Sequence, residues 1–119
     1  MQLLTAELRA QLPTLYAQDN TDNPIVYAKF FTPDSSWTWY VMEGQQEEDG
    51  FLFFGYVNGH CLEAGYFMLS QLESVRGPMK LPIERDLHFK PGPWSEVKKR
   101  ERLEGEVEEV QEGCGCIGD

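Results

Sequence analysis

The dipeptide Asn58-Gly59, set between two apolar runs, constrains this chain more than any other feature. A type I′ turn needs positive φ at both central positions, which asparagine and glycine tolerate best, so the pair predicts a β-hairpin. The arm before it, Phe51-Leu52-Phe53-Phe54-Gly55-Tyr56-Val57, is apolar on both faces. Such a strand belongs at the centre of a sheet, or under helices. The arm after it runs from about His60 to Met68. Upstream, Ile25 to Phe31 is rich in β-branched and aromatic residues and reads as a strand. Thr32-Pro33-Asp34-Ser35-Ser36 turns the chain into a second strand, Trp37 to Met42, with Trp37, Trp39 and Val41 on one face. The polar stretch Glu43 to Gly50 reads as a solvated loop.

Helical signals flank these strands. Thr5 can cap a first helix, with Leu8 and Leu12 on one face and Pro13 ending it. Ser70-Gln71-Leu72-Glu73 fits a capping box, and the short helix it opens stops at Arg76-Gly77-Pro78. Alternation of Ile83, Arg85, Leu87 and Phe89 with polar neighbours predicts a fifth strand. Ser95 is placed to cap a last helix reaching about residue 111, along a narrow apolar stripe of Leu103, Val107, Val110 and Cys114. The sum is an α+β fold: a four- to five-stranded antiparallel meander with short flanking helices over 1–99. An acidic helix and a Cys/Gly tail follow over 100–119.

The chain has 119 residues, enough for one core. Twenty acids against ten bases give a net charge of −10. Half of that lies in residues 100–119, with 7 acids and 2 bases. Excess negative charge opposes phosphate binding, which depends on Lys and Arg, so nucleic acid and anionic membranes are disfavoured partners. No apolar run approaches the roughly 20 residues of a membrane span, and the N-terminus lacks a signal-peptide pattern. The expected compartment is the cytoplasm. Three cysteines, Cys61, Cys114 and Cys116, do not suggest a disulfide framework.

Four segments together resemble one family: Tyr27 to Tyr40, Gly65-Tyr66-Phe67, Leu72 to Pro78, and Leu81 to Leu87. It is a bacterial domain-of-unknown-function family found largely on plasmids, phages and integrative elements. The likeness runs from about residue 3 to 95 and leaves out the acidic tail. It implies a bacterial, mobile-element setting and no catalytic residue.

No phosphate loop, paired CxxC, HExxH helix or nucleophile elbow is present, so neither an enzyme nor a cofactor is expected. His60, Cys61, His88, Cys114 and Cys116 offer metal donors at spacings that do not suit a zinc site. Asp86, Glu96 and Lys98 imitate a nuclease centre, yet residues two apart on a helix do not face each other. The candidate binding residues are Trp37, Trp39 and Tyr40, with Tyr40 on the face opposite the tryptophans and expected to be exposed, and the basic Arg76, Arg85 and Lys90. The reading that follows is a non-enzymatic protein that binds another protein, with interference in host DNA-acting defence as its sharpest form. The alternative is a nucleic-acid-processing accessory or metal-dependent nuclease using the basic 76–90 stretch.

Overall fold

The computed structural model describes residues 2–103. In chain order the elements are α1 (Ala6–Gln11), β1 (Ile25–Val26), β2 (Ala28–Phe31), β3 (Thr38–Glu47), β4 (Gly50–Asn58), β5 (Leu62–Met68), α2 (Leu69–Ser74), β6 (Glu84–Arg85), β7 (Gly92–Pro93) and α3 (Trp94–Arg100). Five strands form one antiparallel sheet in the order β5-β4-β3-β2-β6, and β1 pairs separately with β7. The meander expected from the aromatic segments is therefore present, and the fold is α+β.

The alternation of side chains on these strands fills two cores, one on each face of the sheet. Ala28, Phe30, Trp39, Val41, Phe53 and Phe67 point to the first face, where Leu8 and Leu12 from the α1 region and Leu72 of α2 cover them. Tyr40 and Met42 point to the second, where Trp94 and Val97 of α3, with Val26, Leu62 and Leu103, cover them. Cover by the first core, and on the second side by Trp94 stacked on Tyr56, accounts for much of the apolar character of both faces of β4. It also removes Tyr40 from the surface. Expected to be exposed, it is 2% exposed, packed edge-on against Trp94 with its hydroxyl donating to Glu101 Oε1 at 3.0 Å.

The β3–β4 ladder slips between Val41 and Glu43, leaving Met42 as the extra residue of a β-bulge. Gly44 resumes the first face, against Leu12 and Phe51, so Met42 and Glu43 both turn to the second. Glu43 is 3% exposed, and its carboxylate oxygens accept from the backbone amides of Tyr16 and Gln18, each at 2.8 Å. The segment expected to be a solvated loop is instead strand as far as Glu47, closed by a two-residue turn at Glu48 and Asp49. Its polar side chains sit on the outer parts of a ribbon whose inner residues, Gly44 and Phe51, pack under α1.

Other boundaries also differ from expectation. The hairpin around Asn58-Gly59 forms, but its ladder closes at Asn58 and Leu62, so three residues intervene and neither Asn58 nor Gly59 has positive φ. The α2 helix starts two residues early, with Gln71 Oε1 accepting from the Met68 amide in place of a Ser70 cap. The fifth strand shrinks to Glu84–Arg85. At α3, Ser95 is not the cap: its amide donates to Asn23 Oδ1, and Pro93 precedes the helix.

The last helix stops well before residue 111. Arg102 takes φ 60, its amide donates to Lys99 O at 3.2 Å, and the Leu103 amide donates to Lys98 O at 2.8 Å. This is a Schellman ending, and it turns Leu103 into the second core. Val107, Val110, Cys114 and Cys116 lie outside the described residues. Cys61 is half-buried and disulfide-bonded, although the three cysteines do not suggest a disulfide framework.

Candidate binding rim around Trp37

The turn between β2 and β3 is fixed from inside. Thr32 is buried; its amide donates to Trp37 O at 3.0 Å, and its hydroxyl oxygen accepts from the Trp37 amide at 3.0 Å. This locks the backbone of Trp37 just before β3. Its indole is then held by stacking on Trp39 at 6.1 Å and by the edge of His60 at 5.5 Å. It also lies across Gly59, where an added Cβ would come within 2.3 Å of the ring. The glycine of the hairpin signal is thus needed to seat the tryptophan, not to supply positive φ. Trp37 is 36% exposed, so a large, rigid apolar surface meets solvent with little conformational freedom left to lose.

The same turn anchors the loop after α2. Asp34 Oδ2 accepts from the Met79 amide at 2.7 Å and lies 3.5 Å from the Leu81 amide. Gly77 sits directly against this carboxylate, where a Cβ would lie 1.7 Å from Oδ1. A bridge between Arg76 and Pro82 and a Lys80-to-Gly77 turn bond at 2.8 Å complete the loop. Held this way, Met79 (75% exposed), Leu81 (41%) and, beyond β6, Leu87 (69%) face outward. Three of the four segments that carried the family resemblance meet at this point.

Trp37 stands on the ridge between two clefts. One, of about 350 Å³, is walled by Trp37, Trp39, Val75, Arg76, Gly77 and Pro78. The other, of about 520 Å³, runs from Trp37 past Phe31 and Lys29 to Arg85, Asp86 and His88. Its charges are balanced, with Lys29 and Arg85 facing Glu84 and Asp86. Lys29 Nζ lies 2.7 Å from Glu101 Oε1 and 3.9 Å from Asp86 Oδ2, so this network ties β2 to the end of α3.

The structure separates the expected binding residues. Trp37, Trp39 and Arg76 share the smaller cleft, and Arg85 lies in the larger one. Lys90 lines a third, of about 320 Å³, with Asp86, His88 and Arg100. Tyr40 is in the core. The basic residues do not converge on one anion site: Arg76 donates to the Glu73 and Val75 carbonyls at the end of α2, each at 2.8 Å, and Arg85 donates to Thr5 Oγ1 at 3.0 Å. Nor do Asp86, Glu96 and Lys98 form a centre: Asp86 faces Lys29, Glu96 is an exposed first-turn residue of α3, and Lys98 stands over the Trp94 ring at 6.0 Å. Among the described residues, no three His, Cys, Asp or Glu side chains are grouped to hold a metal ion. No described helix is long and apolar enough to cross a membrane.

Sequence reasoning passed over Met79 and Leu81, because apolar residues scattered in a Pro- and Gly-rich segment carry no periodicity, and placed Leu87 in a fifth strand that ends at Arg85. It also passed over Asp34, whose role depends on a partner more than forty residues away. A family model described as "Protein of unknown function (DUF2958)" matches residues 3–107. No curated protein and no solved structure matches the chain.

Proposed function

Taking as premise that the chain belongs to this DUF2958 family, we propose that it is a non-enzymatic binding protein whose partner is another protein. One observation carries the reading: Trp37, locked by Thr32, Trp39, His60 and Gly59, stands exposed between two clefts and beside the outward-facing Met79, Leu81 and Leu87. Rigid tryptophans flanked by apolar side chains and pockets are the usual centres of protein interfaces. The balanced charge of the larger cleft gives phosphates no net attraction, which favours protein over nucleic acid. The net charge of −10 suits a basic partner surface. Interference with a host DNA-acting defence protein is the sharpest form of this reading, and it leans on the mobile-element setting that the family likeness implies.

The test is a pull-down from bacterial lysate with the full chain as bait, at low and high salt, with nuclease treatment. Protein partners should survive the nuclease and weaken with salt. Trp37→Ala should then cost about 2 kcal/mol, roughly thirtyfold in affinity for a recovered partner. Retention of nucleic acid alone overturns the proposal, as does binding indifferent to Trp37→Ala.

A further inference from the structure

A second aromatic cluster lies on the other side of the molecule, on the face of the sheet that α3 leaves open toward β5. Tyr66 of β5 meets Phe54 of β4 at 4.9 Å between ring centroids, and Tyr16 closes on it edge-to-face at 6.4 Å. Tyr16 is 62% exposed and Tyr66 51%. Neither ring is held by its strand alone. Tyr16 sits in a loop at φ 70, a conformation that costs a bulky residue energy and persists only when its surroundings impose it. What imposes it is Glu43, the bulge carboxylate, which takes the amides of Tyr16 and Gln18. The strained backbone thus serves to aim a phenol ring at Tyr66.

The electrostatics of this cluster are negative. The Tyr66 phenol is pushed up to about 12, first by its hydrogen bond to Tyr16 and then by burial, with the charges of Asp19 and Glu43 as the smallest contributions. Aromatic faces have negative quadrupoles, so rings and carboxylates act in the same direction. Elsewhere on this chain, three rings carry one of the chain's own cations: Arg9 over Phe51, Lys98 over Trp94, and Arg100 over Phe89. Among the described residues, no cation stands over Tyr16, Phe54 or Tyr66.

We propose that Tyr16, Phe54 and Tyr66, with Asp19 at their rim, form a seat for a cationic side chain, an arginine or lysine of a basic protein segment. The cation lies over the Tyr66 and Tyr16 rings, and the Asp19 carboxylate supplies its counter-charge. Charge complementarity selects this occupant: the chain carries −10 overall, and the patch itself is aromatic and acidic. The seat is distinct from the Trp37 rim and stands or falls separately.

The test uses the full chain and a short peptide of small polar residues carrying one arginine. The same peptide with citrulline, a neutral isostere, and a lysine version serve as comparisons. Binding is followed through the aromatic ring resonances of Tyr16, Phe54 and Tyr66. The arginine peptide should shift all three rings, and the citrulline peptide should bind at least about fivefold more weakly. Tyr66→Ala should weaken the arginine peptide by a similar factor. Tyr66→Phe, which keeps the ring, should stay within about twofold, and Trp37→Ala should change nothing. Equal binding of arginine and citrulline overturns the proposal. So does undiminished binding to Tyr66→Ala in a chain whose spectrum shows it folded, or loss of the shifts in Trp37→Ala.

Discussion

Glu43 shows how far one residue can reach in this chain. A carboxylate at 3% exposure is tolerated because it takes two backbone amides, and in doing so it sets the loop that carries Tyr16. Glu43→Ala strands both amides beside a vacated site and should cost about 3 kcal/mol in urea unfolding. Glu43→Gln, which keeps one acceptor oxygen, should recover part of that. The raised phenol of Tyr66 makes a second prediction. Its neutral form is favoured in the fold, so its contribution to stability is fully present below pH 10 and is lost as pH rises through about 12. Spectrophotometric titration should find a tyrosine ionising near 12. In Tyr16→Phe, which removes the largest cause, that ionisation should move down toward 10. Neither role was legible in the sequence. Glu43 stood at the head of a polar run, and only the unpaired Met42 turns it inward.

At the scale of elements, the aromatic and apolar runs marked β3, β4 and β5, and Thr5 does cap α1, while the Ser70 and Ser95 caps, the positive φ expected at Asn58-Gly59 and the length of the fifth strand misled. Thr38 to Met42, Phe51 to Val57 and the segment before Met68 are strands because their side chains must fill two cores, and that need is written in the pattern. The extension of β3 through Gln45, Gln46 and Glu47 was hidden because a ribbon can carry polar residues once its partner strand supplies the apolar ones. The end of α3 was hidden for a different reason. Schellman endings usually place glycine at the left-handed position, and here that position is Arg102 at φ 60. Arg102→Gly should therefore stabilise the chain by about 1 kcal/mol, seen as a higher urea midpoint with unchanged slope. Of the binding rim, Trp37 and Trp39 were legible as an aromatic pair on one face. The loop that completes the rim was not, because Asp34 finds it through tertiary contact.

For the molecule as a whole, one sheet separates two cores, and the second depends on residues past the expected domain end at 99. Leu103 is 4% exposed, and Glu101 joins Lys29 and Tyr40. A chain cut after Lys99 should be less stable than one cut after Leu103 by about 2 kcal/mol, from leucine burial with a small addition from the partly buried ion pair. Thermal melting of the two should differ by about 10 °C. The placement of the tryptophans has a use of its own. Trp39 lies in one core, Trp94 in the other, and Trp37, stacked on Trp39, at the rim, so the three indoles differ in their exposure. Variants keeping a single indole would emit from one layer at a time. If the sheet couples its two sides, the fluorescence of the Trp39-only and Trp94-only chains will redden at one denaturant concentration, after correction for the lost rings. The Trp37-only chain, already emitting at longer wavelength, will barely change colour.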